Sequence, residues 1–416
     1  MQILGFVEGA PANKGGLGLV GVPGILGSTA ARGHHVALVV GGPPMVGRER
    51  FVAPSLESAL ERKEGAGTFG MVIFKSWQLW AFAPAILWRT SRYVRAADFV
   101  SLHSLYSFPV LAGYLLARLH GKPYGLWPHG VLAGVQRRIG ASKKRLYDRL
   151  IARHIVRNAA MIFYGGGRER EEAQKAYVIS AASGGNGSAA EWSARSVVVP
   201  DGFDAAEYDA LPSRGGFRKQ YLDDHSGPVV LFLARLNAKK GLRLLSQAMA
   251  LVIKEHPETR LAIVGPPDPP GFEDKVQAWM RESGIEATTT LTGRVDPVSK
   301  LQALADADIY VLPSEAENFG FSVFEAMASC LPVVVSNSLD YAGEIASAGA
   351  GFAVEREPER FAARIVELLE SPELRRKMGE NGALVARRYS LEETGRKVEC
   401  TIDCVVRRLP LPAGLA

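Results

Sequence analysis

The sequence predicts an α/β protein of two domains, each built on a doubly wound parallel sheet. Short apolar runs alternate with helical patterns along all 416 residues, which is typical of parallel strands joined by helices. Runs such as VVLFLA at 229–234 are apolar at every position, as expected of strands buried on both faces. The length is also sufficient for two hydrophobic cores.

The apolar runs give the predicted strands in chain order. The main candidates are 3–7, 36–40, 99–103 and 161–164 in the first half, and 229–233, 261–264, 309–312 and 333–336 in the second. Further extended segments are predicted at 122–126 and 197–199. A small, polar, glycine-rich segment at 180–196 predicts a loop, and a new series of strands starts at Val229. We therefore predict a first domain at 1–205 and a second domain from residue 206.

Composition limits the classes of protein that the sequence can represent. The chain is 47% hydrophobic and 22% charged, which is ordinary for a globular protein. It has no apolar run long enough for a membrane span, and its start lacks the pattern of a signal peptide. Three cysteines cannot form a disulfide framework, so we expect a cytoplasmic protein. The net charge of +6 suits an anionic ligand or surface, and we expect no nucleic-acid partner.

The strongest motif is PSEAENFGFSVFEAMA at 313–328, directly after a predicted strand. Its two carboxylates, Glu317 and Glu325, flank a glycine turn and the start of a helix. Free amide groups at a helix N-terminus suit phosphate or a hydroxyl group, and carboxylates accept paired hydrogen bonds from vicinal diols. The alternative is that Glu325 only stabilises the first turn of its helix.

A second motif, ARLNAKKG at 234–241, follows the strand predicted at 229–233. Arg235 and Lys240 would place two cations at the carboxyl end of this sheet, where ligands of doubly wound folds bind. A fixed Arg and Lys can offset the charge that grows on a departing diphosphate, as a divalent metal does in other enzymes. We find no Asp-x-Asp motif placed to hold a metal, so we predict no metal. The alternative is an ordinary surface pair.

Two weaker signals lie in the first half. Gly15 and Gly16 follow the first strand and would let the backbone approach a ligand closely. They lack the spacing of a dinucleotide fingerprint, which argues against an NAD enzyme. His129 stands beside glycine after the segment 122–126 and is either a structural or a catalytic histidine.

Together these motifs resemble the retaining glycosyltransferase family 4, over nearly the whole chain and in the same order. The resemblance implies the GT-B fold, in which two Rossmann-like domains face a cleft. The last helix of this family crosses back onto the first domain. We therefore expect about 398–416 to join residues 1–205, which leaves 206–397 as the donor domain. The sequence departs from the family at Asp201, where asparagine is usual, and at Cys330, where glycine is common.

The resemblance also implies roles for single residues. Arg235 and Lys240 would bind the donor diphosphate, Glu325 the ribose and Glu317 the donor sugar. In the first domain, Gly15 and Gly16 would approach the phosphate and His129 would line the sugar pocket. The expected catalytic residues are Arg235, Lys240, Glu317 and His129. Backbone amides for the donor would come from Asn318, Phe319, Gly320 and Phe321.

The resemblance implies a hexosyltransferase that uses a nucleotide-diphosphate sugar, retains anomeric configuration and needs no metal or other cofactor. We expect a saccharide or lipid-linked saccharide as acceptor, in cell-surface polysaccharide synthesis. A nucleotide-sugar 2-epimerase of the same fold and a non-catalytic sugar-nucleotide binder remain as alternatives. The aromatic stretch at 76–89 and the basic segment around Arg145 predict peripheral contact with a membrane. A helix packed on the sheet of the first domain is the other interpretation of that stretch.

Overall fold

The computed structural model confirms two doubly wound α/β domains. It describes residues 1–9, 21–42, 53, 55–60, 67–77, 79–132, 147–181, 189–317 and 319–415. The chain forms two compact units, Met1–Gly202 together with Leu391–Ala416, and Phe203–Ser390. The sequence had predicted the corresponding boundaries at 205 and 397.

The first unit contains a seven-stranded parallel sheet in the order β3-β2-β1-β4-β5-β6-β7. Five of these strands are buried on both faces of the sheet, which explains their continuous apolar sequences. The strands are β1 (Gln2–Glu8), β2 (His35–Gly41), β3 (Thr68–Phe74), β4 (Phe99–His103), β5 (Tyr124–Trp127), β6 (Met161–Tyr164) and β7 (Ser196–Val198).

Helices cover both faces of this sheet and form two separate cores. Ile86, Val110 and Ile155 belong to the core on one face, whereas Ile25 and Val398 belong to the core on the other. No helix in the described part of the chain is long and apolar enough to span a bilayer. The helices are α1 (Val22–Ala31), α2 (Leu56–Leu60), α3 (Ala85–Ala96), α4 (Phe108–Leu119), a π-helix (Asp148–Ala152), α5 (Arg153–Asn158), α6 (Gly167–Ala181), α7 (Ala189–Ala194) and, from the C-terminal segment, α16 (Leu391–Arg407).

The second unit contains a six-stranded parallel sheet in the order β10-β9-β8-β11-β12-β13. The order reverses between β8 and β11, so this pair forms the topological switch point at which doubly wound sheets bind ligands. The strands are β8 (Val229–Leu233), β9 (Arg260–Val264), β10 (Thr289–Gly293), β11 (Ile309–Leu312), β12 (Val333–Ser336) and β13 (Gly351–Val354).

The helices of the second unit bury one apolar face each on this sheet. Leu245 and Met249 of α9, for example, are one turn apart and fully buried. The helices are α8 (Gly216–Tyr221), α9 (Leu242–Glu255), α10 (Phe272–Glu282), α11 (Pro297–Asp306), α12 (Phe321–Ala328), α13 (Ala342–Ser347), α14 (Pro358–Glu370) and α15 (Pro372–Arg387), with 3-10 turns at Ala205–Tyr208, Ala238–Lys240 and Glu286–Thr288.

Of the strands in the described parts of the chain, the sequence missed three, and all three lie at an edge of a sheet. These are β3, β10 and β13. An edge strand has one neighbour and is partly open to solvent, so its sequence need not be apolar throughout. The clearest case is β10, with the sequence TTLTG and all five residues half-buried. The buried strands were predicted to within two residues at each end.

Strands β8 and β11 pair closely only near their starts. Val230 pairs with Ile309 and Leu231 with Tyr310, whereas β8 pairs with β9 along its whole length. Beyond this point the hydroxyl oxygen of Tyr310 lies 3.3 Å from the carbonyl oxygen of Leu233. The ends of the two strands are therefore in contact through a side chain.

Candidate functional site

Two loops at the switch point of the second unit are fastened to each other. The loop after β8 ends at Gly241, and the loop after β11 begins at Pro313. Gly241 has a φ of 72°, and a Cβ atom there would lie 2.2 Å from the carbonyl oxygen of Pro313. The carbonyl of Lys239 accepts from the amide of Glu315 at 2.7 Å and lies 3.1 Å from the hydroxyl oxygen of Ser314. The two loops therefore hold their side chains at fixed positions.

Lys240 and Glu317 form an ion pair between these two loops. The Lys240 Nζ atom donates to Oε1 of Glu317, and the two side chains are only 16% and 15% exposed. The Ser314 hydroxyl donates to the same oxygen at 2.6 Å. The structure thus brings together two residues that the sequence placed in one site, and Ser314 orients the carboxylate.

Arg235 lies two residues after the end of β8 and pairs with a residue that the sequence motifs do not include. Its guanidinium donates to Asp268, in the loop after β9. The amide of Leu236 donates to the carbonyl of Pro266, at 2.9 Å, and joins the two loops. Arg235 is 29% exposed and is oriented by Asp268, while Lys240 is oriented by Glu317.

Glu325 lies in the second turn of α12 and contacts a lysine from α11. The Nζ atom of Lys300 lies 3.2 Å from Oε1 of Glu325 and 2.8 Å from the hydroxyl of Tyr208. The first turn of α12 contains no acidic residue. The interpretation that Glu325 only stabilises the first turn of its helix is therefore wrong.

Tyr310 lies close to both predicted carboxylates. Burial raises the pKa of its hydroxyl, and the charges of Glu317 and Glu325 raise it further, against the hydrogen bond from Tyr310 to Ser322. That bond is 2.7 Å long and fixes the hydroxyl of Ser322 at the start of α12. Tyr310 thus lies near both carboxylates and holds Ser322 at the start of the helix that carries Glu325.

An aromatic anchor fixes the start of α12. Gly320 caps this helix with a φ of 77°, a conformation that favours glycine. The side chain of Phe319 is 4% exposed and stacks on Phe324 with their ring centroids 4.3 Å apart. Tyr341 and Tyr389 pack against the same two rings. Because Phe319 is held in this aromatic cluster, the backbone amide groups at the start of α12 have a fixed orientation.

His129 lies in the first unit, in a strained turn after β5. Its φ is 50°, which is unusual for a residue other than glycine. Its Nε2 atom lies 3.2 Å from Nδ1 of His103, and its Nδ1 atom lies 4.0 Å from a carboxyl oxygen of Asp201. Burial lowers the pKa of His129 to about 4, so the ring is neutral near pH 7.

Glu169 fixes the backbone of this turn, although the sequence analysis gave it no role. Its carboxylate accepts from the amide of Gly130 at 2.5 Å and from the amide of Gly165 at 3.0 Å. These amides follow β5 and β6, and Glu169 itself is 4% exposed. Burial, and then the charge of Glu169, raise the pKa of Asp201 to about 7. The buried carboxylate of Glu169 therefore supports the turn that holds His129, and the half-buried carboxyl group of Asp201 lies beside it.

Three predicted site residues lie outside the described residues, namely Gly15, Gly16 and Asn318. In the second unit, Arg235, Lys240, Glu317 and Glu325 lie on the loops and the helix that follow β8 and β11. The sequence missed the partners of these side chains, Asp268, Lys300 and Ser314. Asp268 carried a usable signal because it follows a predicted strand, whereas Lys300 lies within a helix and its sequence gives no indication of a site.

Family models match both halves of the chain. Residues 214–385 match the model for group 1 glycosyl transferases, and residues 20–183 match the model for glycosyl transferase 4-like domains. The chain belongs to the group 1 glycosyltransferases. The predicted family is thus confirmed, and the group 1 model, at residues 214–385, covers the loops and the helix that hold Arg235, Lys240, Glu317 and Glu325.

Individual relatives of this glycosyltransferase are distant. A D-inositol 3-phosphate glycosyltransferase of Segniliparus rotundus is 32% identical over 47% of this chain and 44% of its own length. An alpha-D-kanosaminyltransferase of Streptomyces kanamyceticus is 28% identical over 68% of this chain and 70% of its own. Among solved structures, Anabaena HepE in complex with UDP has a TM-score of 0.73 at 18% identity, over 97% of this chain and all of HepE. This likeness confirms the GT-B fold class.

Proposed function

We propose that this protein transfers a hexose from a nucleotide-diphosphate donor to an acceptor hydroxyl, with retention of anomeric configuration and without a metal ion. The observation that carries the proposal is the Lys240–Glu317 pair at the switch point. Glu325 lies on α12, the helix that follows the loop of Glu317. A cation here offsets the charge of a departing diphosphate, and the carboxylates accept hydrogen bonds from hydroxyl groups.

In the proposed reaction the bond between the anomeric carbon and the diphosphate oxygen breaks, and the acceptor oxygen bonds to that carbon on the same face. The acceptor proton passes to an oxygen of the leaving phosphate. Arg235 and Lys240 offset the negative charge that develops on this phosphate. Glu317 binds the donor sugar and Glu325 the ribose. No side chain acts as a nucleophile in this scheme.

Binding of a diphosphate would rearrange the ion pairs of the site. Lys240 contacts Glu317 and Arg235 contacts Asp268, so phosphate oxygens compete with a carboxylate for each cation. Glu317, once released from Lys240, is free to accept hydrogen bonds from the sugar. Binding of the diphosphate by Lys240 would therefore make the carboxylate of Glu317 available to the sugar. Both residues belong to the two loops that follow β8 and β11.

The first unit supplies the remaining residues of the proposal. The amides near Gly15 and Gly16 approach the donor phosphate, and the neutral ring of His129 lines the sugar pocket. The backbone amides for the donor come from Asn318, Phe319, Gly320 and Phe321. The low pKa of His129 supports a role in hydrogen bonding rather than as a cation.

The acceptor is proposed to be a saccharide or a lipid-linked saccharide, in cell-surface polysaccharide synthesis. The relatives support a polar acceptor, since one is named for transfer to D-inositol 3-phosphate. HepE was solved with UDP, which supports a nucleoside diphosphate as the donor carrier. The proposal includes peripheral contact with a membrane, where a lipid-linked acceptor would reside.

A thermal-shift screen with UDP-, GDP- and ADP-sugars, followed by turnover with the best donor in excess EDTA, tests this function. We expect stabilisation by one donor and acceptor-dependent release of its nucleoside diphosphate in the presence of EDTA. Loss of turnover in EDTA, restored by magnesium or manganese, would contradict the metal-free mechanism. Conversion of the donor without any acceptor would instead indicate an epimerase.

A further inference from the structure

The outer face of three neighbouring helices in the first unit is both basic and apolar. These are α3, α4 and the continuous helix formed by the π-helix and α5. The Ser91 hydroxyl lies 2.9 Å from the ring of His120 and joins α3 to the end of α4. Asn158 donates to the hydroxyl of Tyr114, at 3.5 Å, and joins α5 to α4. We call the solvent-facing side of these helices the outer face.

Large apolar side chains are concentrated on this outer face. Nine large hydrophobic side chains are exposed among the described residues, and four of them belong to these three helices. A fifth, Trp77, precedes α3 and packs against Phe82. The exposed fractions are 65% for Trp88, 47% for Leu115, 72% for Leu119, 60% for Leu150 and 71% for Trp77. Single exposed hydrophobic residues are common, but a concentration on one face marks an interaction surface.

The charges on the outer face are almost all positive. The three helices contain seven arginines and one carboxylate, Asp148. Arg92 is paired with Glu57, from α2, and the carboxylate of Asp148 accepts from Tyr106. The exposed arginines are Arg89, Arg92, Arg95, Arg118, Arg153 and Arg157. By contrast, α16 on the other side of the sheet carries four carboxylates and three cations.

The position of Trp88 and the arginines on α3 fits a helix that lies along a membrane. Trp88, Arg92 and Arg95 fall on one side of this helix, while Ile86, Thr90 and Val94 are buried on the other. Tryptophan prefers the interface between lipid and water, and arginine can extend its charge to phosphate headgroups. Exposed apolar residues and cations are interspersed on these helices, which fits a lipid layer that offers both acyl chains and phosphate groups.

We propose that the outer face of α3, α4 and α5 docks on a membrane that contains anionic lipids. The inference rests on the proposed function, because a lipid-linked acceptor would be met at such a surface. It assigns membrane contact to described helices, which include the end of the basic segment at Arg153 and Arg157, whereas Arg145 lies outside the described residues. The apolar side chains enter the headgroup region, and the arginines bind lipid phosphates.

Co-sedimentation of the full chain with vesicles tests the proposal. We expect binding to vesicles of phosphatidylglycerol and phosphatidylcholine in low salt, and little binding to phosphatidylcholine alone. The triple variant R89Q/R92Q/R95Q should bind at least about tenfold more weakly. The affinity of the double variant W88S/L119S for these vesicles should also fall by about tenfold. This loss should persist in high salt, because salt does not screen apolar contacts.

Matched controls separate a specific surface from general charge. Arg360, Arg376 and Arg387 of the second unit are each about as exposed as Arg92, at 65%, 65% and 68%. The variant R360Q/R376Q/R387Q should retain binding, and so should L384S, which removes a leucine that is 66% exposed. Equal losses in the α3 variant and its control would overturn the proposal.

Three other results would also overturn it. The first is no sedimentation of the wild-type chain with anionic vesicles in low salt. The second is loss of binding on changing Lys143, Lys144 and Arg145 while R89Q/R92Q/R95Q binds normally. The third is self-association that W88S/L119S abolishes, without vesicle binding, because the face would then bind a second copy. Donor binding, measured by calorimetry on the same variants, reports separately on the proposed function.

Discussion

At the residue scale, the sequence selected the cations of the candidate site but did not predict which carboxylate orients each of them. Lys240 and Arg235 were selected because each follows a strand, which a sequence can show. Asp268, which orients Arg235, lies on a different loop and meets it only through the fold. Sequence motifs therefore predicted which side chains carry charge at this edge, but not which partner holds each one.

Asp201 gives a prediction about pH at the same scale. Its pKa is raised to about 7, against 3.8 for an ordinary aspartate, so the folded protein keeps a proton that the unfolded chain loses. Between these two values the folded state binds more protons. The contribution of Asp201 to the free energy of unfolding therefore falls as pH rises to about 7, and it is constant above that.

Asp201→Asn removes this contribution. The free energy of unfolding is measured with urea at a series of pH values. As the pH rises from 3.8 to about 7, we expect this free energy to increase in the variant relative to wild type. The low pKa of His129 acts in the opposite direction, but His129 is present in both proteins. The exposed Asp209, changed to Asn, is the control. A difference between Asp201→Asn and wild type that does not vary with pH would contradict the assignment.

At the scale of elements, the sequence predicted the buried strands and missed those at the edges. The run VVLFL became β8 with its bounds as predicted, because complete burial requires an apolar side chain at every position. The edge strand β10 was missed because it is partly open to solvent and can therefore contain threonines, which interrupt the apolar pattern. The two motifs of the site follow buried strands, so their position in the fold could be predicted while their mutual contacts could not.

The contact between the loops after β8 and β11 can be tested with two glycines of positive φ. Gly241→Ala places a methyl group 2.2 Å from the carbonyl oxygen of Pro313, whereas Gly271→Ala, at a φ of 84°, meets no atom within 4 Å. Both variants carry the cost of the left-handed conformation, about 1–2 kcal/mol. Gly241→Ala should lose about 1–3 kcal/mol more, since backbone must move.

Denaturation measures the stability of the two glycine variants, and calorimetry measures their affinity for a nucleoside diphosphate. We expect Gly271→Ala to bind the nucleotide as wild type does, and Gly241→Ala to bind more weakly because Lys240 is displaced with its loop. Equal stability of the two variants would show that the loops do not touch as described. Unchanged affinity in Gly241→Ala would show that their contact does not matter for binding.

At the scale of the whole molecule, the chain builds one unit from two segments and inserts the other unit between them. The ends of the second unit meet, because the amide of Phe203 donates to the carbonyl of Tyr389 at 3.1 Å. This unit also has its own hydrophobic core. The sequence indicated two domains from the two series of strands. The chain returns to the first unit at Leu391, which depends on where α16 packs, whereas the resemblance had led us to expect this return at about residue 398.

A fragment of residues 203–390 should therefore fold alone. We expect cooperative unfolding by circular dichroism and an increase in melting temperature when the fragment is mixed with the nucleoside diphosphate of the preferred donor. The same fragment with Lys240→Ala should fold but show a smaller increase. If the fragment folds but its melting temperature does not change with nucleotide, while that of the full chain does, nucleotide binding depends on residues of the first unit.

Calorimetric titration of the nucleoside diphosphate into two lysine variants tests the central claim most directly. Lys239 and Lys240 are adjacent, but Lys239 is exposed whereas Lys240 is paired with Glu317. We expect Lys240→Ala to weaken binding by about 2–3 kcal/mol, or thirtyfold or more, and Lys239→Ala to change it little. Equal affinities of Lys240→Ala and Lys239→Ala would contradict a diphosphate site at the ends of β8 and β11.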